Sequence, residues 1–467
     1  MYRCGDRYQM ELFPKSIEEY VDQDDPVRAY DAFVEALDFN ELGIALNQNK
    51  VGSPEYNPKT MLKLLVFGYS YGFRSSRKLE RALYHNISFI WLASGLKPDH
   101  KTIAEFRRNN IRALKNVLRQ CARLCIKLDL IAGNTLFVDS TKIRANASIK
   151  NTWTKDKCED ALKKADKRID SILSECEETD NKEQDEPSLI KLKEDLRDTR
   201  TLKSKIQGIL KELKDTKEKS INTTDPECGR MKSLQGSHAG YNAQIAVDEK
   251  RGLIVNSDVV SENNDIKQFA EQVDQANETL GRKCDTACAD SGYADTQELE
   301  KIDRQDIRVI VPPQKQDSKK ELFKYDFKND CYICPQGHKL LYSYFCKRRK
   351  LNIYIITDKN ICLRCRYFGI CTKDVKGGKI ARLLNEEVKE KLEARYKQPE
   401  SQEIYRLRQQ RAEHPFGHIK RNLSATSFLL RSRDGAKAEF SLLTSCFNLS
   451  RMMTILGVQG LIQAIRG

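Results

Sequence analysis

No stretch of this sequence stays apolar for long. The longest runs, such as Met61 to Phe67, stop well short of the ~20 residues a membrane span needs. Nor is there a secretory h-region near Met1. No membrane partner is therefore expected, and the cytoplasm is the expected compartment. Fifteen cysteines without an export signal suggest reduced thiols rather than a disulfide framework. What the sequence has in quantity is charge. Charged residues make up 32% of its 467 residues, and 81 Lys and Arg against 67 Asp and Glu leave a formal net charge of +14. Such a surplus suits a polyanionic partner, with nucleic acid first in view. The length allows two or three compact units.

Residues 1–130 read as helical. Asn57-Pro58 is a cap followed by proline at the first helical position. Thr102-x-x-Glu105 has capping-box spacing and predicts a second helix start. Arg74, Arg77, Lys78, Arg81, Arg107 and Arg108 interleave with apolar positions, either as solvated faces or as a DNA-binding surface.

The character changes at Asn134. Thr135 to Asp139 reads as a short buried strand ending in a carboxylate. Residues 155–221 form a charged segment with heptad-like spacing (Leu162, Ala165, Ile169, Ile172; later Leu189, Leu192, Leu196, then Ile206, Ile209, Leu213), predicting an inserted helical hairpin. Tyr241 to Asp248 and Leu253 to Val260 read as a hairpin of strands. A helix, the strand Thr286 to Asp290, a second helix and the strand Ile307 to Val311 complete an α/β unit over 131–315. A cysteine-rich insertion follows over 316–384. Residues 385–467 are expected to be helical, with one long helix from about Asn385 to Ala412 that Pro415 interrupts.

The chemistry is sought in carboxylates. Asp139 and Asp290 each fall at the C-terminal end of a predicted strand, where α/β sheets place their ligand sites. Ser140-Thr141 and Ser291-Gly292 read as the turns that follow. The competing reading makes each aspartate a mere turn or helix cap. Glu413 would sit at a helix junction made by Pro415, with Lys420 about two turns on. Three carboxylates in one cleft can hold the divalent ions that phosphodiester cleavage needs.

Cys331-x2-Cys334 and Cys362-x2-Cys365 have the spacing of a zinc ribbon, with Cys371 and His338 as spare ligands. A reduced thiol cluster is the alternative. His238 and His418 are read as structural or DNA-contacting, because a two-metal site needs no acid–base histidine. Trp153 is read as a hairpin or core tryptophan, with base stacking as the alternative.

Taken together, these pieces resemble the bacterial insertion-sequence transposases of the DDE class. The matching segments are Phe137-Val-Asp-Ser-Thr141, Ala289-Asp-Ser-Gly-Tyr293 and Tyr405 to Lys420, with Pro98 to Arg107 and Gly240 to Gln244 in support. The four residues between Arg408 and Glu413 are one more than the broader signature usually has. The resemblance implies an RNase-H-like catalytic domain and Mg²⁺ or Mn²⁺ held by Asp139, Asp290 and Glu413. It implies DNA or end-processing contacts from Tyr405, Arg408 and Lys420, to which the basic residues Lys142, Arg144 and Arg421 add phosphate contacts. It also implies terminal inverted repeats and target DNA as partners, at least two subunits on paired ends, and a place at the nucleoid. A DNA-binding regulator or a nuclease derived from such an enzyme is the alternative.

Overall fold

A computed structural model describes residues 16–46, 55–181, 186–216, 219–233, 236–314, 322–348 and 350–467. The chain opens with helices α1 (Pro26–Glu35), α2 (Phe39–Leu42), α3 (Pro58–Ser70), α4 (Ser76–His85), α5 (Ile87–Leu92), α6 (His100–Asn109), α7 (Ile111–Lys115) and α8 (Val117–Lys127). Asn57 caps α3 through a bond from the Lys59 N–H, with Pro58 at the first position, as expected. Helix α6 starts earlier than the capping-box spacing suggests. Asp99 is its cap, accepting from the Thr102 N–H at 2.7 Å, which places Thr102 inside the helix.

The mixed sheet follows. Its strands are β1 (Thr135–Arg144), β4 (Gly229–Ser233), β5 (Gly236–Asp248), β6 (Ile254–Val260), β7 (Thr286–Cys288) and β8 (Arg308–Ile310), while the short β2 (Thr152–Trp153) and β3 (Ile221–Asn222) pair only with each other. Strand β5 is central. One edge pairs antiparallel with β1, and the other takes β4 along its first half and β6 along its second. Strand β1 then pairs in parallel with β7, and β7 with β8. Helices α11 (Phe269–Leu280) and α12 (Thr296–Asp303) make the crossovers. Asp139 does not end its strand. Ser140 and Thr141 continue β1, because β5 offers them partners in Gln244 and Ala243.

Helices α9 (Lys155–Asn181) and α10 (Glu186–Asp215) form the expected hairpin, entered and left through the β2–β3 pair. Cys158, Ile206, Leu213 and Ile221 make its small core, with Trp153 packed against it. Trp153 is thus a hairpin tryptophan, with the Lys157 ammonium over its ring. Part of the acidic stretch expected to separate the helices, residues 182–185, lies outside the described residues, as do the side-chain surroundings of Leu189.

The cysteine-rich insertion is an antiparallel sheet of β9 (Lys324–Asp326), β10 (Cys331–Ile333), β11 (Lys339–Cys346), β12 (Leu351–Ile356) and β13 (Lys379–Leu383), with the one-turn α13 (Lys359–Leu363) between the last two. Beyond it lie α14 (Glu386–Tyr396), α15 (Pro399–Arg421), α16 (Arg433–Leu456) and α17 (Val458–Arg466). The expected single helix from Asn385 is two, because Gln398 precedes a proline and is extended, which starts α15 afresh at Pro399. Pro415, by contrast, lies inside α15 and does not end it. Ala412, Pro415, Phe416 and Ile419 are buried together, and that packing outweighs the one hydrogen bond proline cannot make.

Helix α16 holds the molecule together. It is buried along most of its length and packs on α3, α7, α8 and β6. Its polar side chains are satisfied: Asn448 bonds both the N–H and the carbonyl of Ile254 at 2.8 Å, and the Leu118 N–H donates to Ser441 Oγ. One continuous hydrophobic core therefore runs from Val21 in the N-terminal region through the mixed sheet to Ile462.

Candidate active site

Three elements converge on Asp139. The parallel pairing of β1 with β7 ends at Phe137 and Cys288. Two residues further along each chain come Asp139 and Asp290, so the same register carries the two aspartates to neighbouring positions at the end of the pair. Each uses one oxygen locally. Asp139 Oδ1 accepts from the Ser140 N–H and Asp290 Oδ1 from the Gly292 N–H, both at 2.8 Å. Asp290 does cap a short turn, Ser291–Tyr293, and the cap itself fixes its direction.

Helix α15 lies across this edge against β1, β5 and β7. Arg408 is buried and brings Nη1 to 3.2 Å from Asp139 Oδ2. Its Nε and Nη1 are buried without a hydrogen-bond partner, so this is an ion pair in proximity only. Burial pushes the Asp139 carboxyl up to about 6, against the opposing pull of Arg408 and the Ser140 N–H, while the charges of Asp290 and Glu413 add to the rise. Glu413 is exposed in the interior of α15 rather than at a helix junction, and its charge reaches Asp139 from the open side. Lys420 Nζ donates to Thr141 Oγ1 on β1, and burial holds its ammonium below the ordinary value. Tyr405 is half-buried, edge-on to Tyr396, with Arg408 over its ring. Arg144 and Arg421 are exposed along the same flank.

Behind the carboxylates lies a network that sequence reading missed. Asp265 Oδ1 accepts from Asn242 Nδ2 at 2.6 Å and Gln244 Nε2 at 2.8 Å, with Lys142 Nζ at 3.6 Å. The buried Tyr293 hydroxyl donates to Gln244 Oε1. These groups clamp the turn after Asp290 onto β5. The signal was present: Asn242 and Gln244 are amide side chains on what reads as a buried central strand, where unpaired polar groups are costly.

His414 and His418 pack edge-on against Phe447, and His238 is depressed by burial, then by Arg144.

Two family models match the chain. Residues 15–109 match Transposase domain (DUF772), and residues 333–453, which include α15 with Arg408, Glu413 and Lys420, match Transposase DDE domain. Both matched segments are thus similar to transposase domains, the second to one of the DDE class. The chain is also similar to a solved structure, a piggyBac transposase synaptic complex with hairpin DNA, at 9% identity and a TM-score of 0.36, over 95% of this chain and 79% of that one. No curated protein matches it. Among the described residues, no helix is long and apolar enough to cross a membrane.

The expected zinc set is not gathered as drawn from the sequence. Cys331 sits inside β10, paired with Asp326 and Leu341 and fully buried. Neighbouring residues of a strand face opposite ways, so Cys331 points away from the face that Tyr332 gives to the insertion's core. Cys334, Cys362 and Cys365 lie on that core side. As the side chains stand, no group of three or more His, Cys, Asp or Glu among the described residues is ready to hold a metal ion, the carboxylates included.

Proposed function

We propose that this transposase binds the terminal inverted repeats of a mobile element, cuts a DNA strand there and joins the end to target DNA. We assign Asp139, Asp290 and Glu413 as its catalytic carboxylates. The observation that carries the reading is the register of β1 and β7, which sets Asp139 beside Asp290 under a helix that bears Glu413. The mixed sheet, with one antiparallel hairpin and two parallel strands on β1, supports an RNase-H-like domain.

The donor set fits a pair of hard divalent ions, because all three assigned groups are carboxylates. When bound, Mg²⁺ or Mn²⁺ would supply a deprotonated nucleophile and relieve charge on the scissile phosphate. The chain's own groups do the rest. The backbone N–H bonds at Ser140 and Gly292 fix one oxygen of each aspartate, and the second oxygen of Asp139 lies toward Arg408. Arg408 holds positive charge beside Asp139 and has N–H groups unspent, which suits it to a phosphate oxygen once the carboxylate is engaged. Lys420, Lys142, Arg144 and Arg421 offer phosphate contacts around the scissile bond, and Tyr405 flanks them. Paired ends require at least two subunits, one active site for each end.

The test is to incubate the full chain with a labelled element end, target DNA and Mg²⁺. Nicked and joined products are expected. Nicking without joining would make the protein a nuclease, and binding without either product would make it a regulator.

Two further results are expected. Lys420→Ala should weaken repeat and random DNA alike and make the slope of log affinity against log salt shallower by about one, as for loss of one phosphate contact. A selective loss for the repeat would instead make Lys420 a base reader. Gly292→Ala should slow cleavage by about a hundredfold, the usual effect of displacing a reacting group by an ångström. A Cβ there would fall 2.9 Å from Asp290 Oδ1, the oxygen bonded to its own N–H. Unchanged single-turnover cleavage would show that the turn does not position Asp290.

A further inference from the structure

The insertion's core encloses a cavity of about 20 Å³ whose walls include Cys334, Cys362, Cys365 and Cys371. That is room for a single water-sized occupant. A buried water needs two to four polar partners, and this lining offers mainly sulfur and carbon. Three separate pieces of chain deliver the sulfurs. Cys334 opens a tight turn closed by bonds from the Cys334 N–H to the His338 carbonyl and from the Gly337 N–H to the Cys334 carbonyl, with Gly337 at φ +84°. Cys362 lies in α13 and Cys365 just beyond it. Cys371 lies on the loop that leads to β13.

Two of these sulfurs already accept backbone hydrogen bonds. The Gly378 N–H reaches Cys362 Sγ at 3.2 Å and the Tyr367 N–H reaches Cys365 Sγ at 3.4 Å. The Cys371 thiol donates to the Tyr367 carbonyl at 3.4 Å.

We propose that Cys334, Cys362, Cys365 and Cys371 bind one structural zinc ion. Four thiolates are a closed tetrahedral donor set for Zn²⁺. Cys331 is excluded by facing the other side of β10. His338 touches the cavity wall but is exposed, and stays outside the set. The sulfurs ring the cavity without yet closing on a point. The ion would staple the start of β11, α13 and the approach to β13 into one unit, just before the chain runs on to α14 and α15.

The test uses the full chain, purified without chelator in reducing buffer. Metal analysis is expected to find about one Zn²⁺ per chain in the native protein and in Cys331→Ser. Cys334→Ser and Cys371→Ser are expected to lose it. Alkylation of the native protein supplies a readout that no variant's folding can confuse. Cys334, Cys362, Cys365 and Cys371 should be protected until a chelator is added, whereas Cys346, half-buried in the same sheet, should react either way. Zinc lost with Cys331→Ser but kept with Cys371→Ser would overturn the assignment. So would iron in place of zinc, no metal after refolding with zinc, or alkylation that ignores the chelator.

Discussion

Asp139→Asn, Asp290→Asn and Glu413→Gln are each expected to lower strand cleavage at an element end by a thousandfold or more, while end binding stays within about threefold. A thousandfold is about 4 kcal/mol of transition-state stabilisation. The substitutions keep shape and remove the charge that would hold a divalent ion. Affinity changes little because it rests mostly on phosphate contacts made by basic side chains elsewhere. Glu413→Gln is the cleanest of the three. Glu413 is exposed, so its loss should leave the unfolding midpoint where it was. Asp139→Asn also strips the buried Arg408 of its anionic partner, so its unfolding must be measured beside its cleavage. Cleavage within tenfold of the native rate in any one variant would remove that residue from the site.

The largest stability effect is expected at the buried ion pair of Arg74 and Glu439. The two meet at 2.6 Å, with side-chain exposures of 7% and 0%. Arg74 also donates to the carbonyls of Ser424 and Ser427. The other oxygen of Glu439 accepts from the N–H groups of Leu429 and Leu430. That loop in turn runs beside β1, with the Phe428 N–H on the Arg144 carbonyl. Arg74→Ala or Glu439→Ala leaves the partner charged and buried, which should cost about 3–5 kcal/mol in denaturant unfolding. The double substitution should cost much less than the sum, because the second removal cures the first. Strict additivity would mean that the two side chains do not act as a pair.

Where the sequence was read well, a local rule was enough. Asn57-Pro58 started a helix because cap and proline act within one turn. The two strand-forming runs after Tyr241 formed a hairpin because their apolar patterns adjoin a turn. The misreadings come from partners that lie far along the chain. Ser140-Thr141 read as a turn because only pairing with Gln244 and Ala243 keeps it extended. Pro415 read as a helix end because only burial against distant residues keeps α15 going. Cys331 read as a ligand because spacing counts residues and ignores which side of a strand they face. The aspartates were legible as types and positions, but their convergence is a property of the β1–β7 register. The clamp through Asp265, Asn242 and Gln244 joins three elements and has no contiguous motif.

The shared core has a consequence for how the protein is made. Helices α1 and α3 leave the ribosome early, yet the surfaces they pack against belong to α16 and α17, translated far later. Until those emerge, the early helices have exposed apolar faces and Arg74 has no Glu439. A chain cut short before α16, by frameshift or by proteolysis, would therefore lack the other half of its core. It would be cleared or would aggregate, and would not survive as a DNA-binding fragment competing with the intact enzyme for element ends.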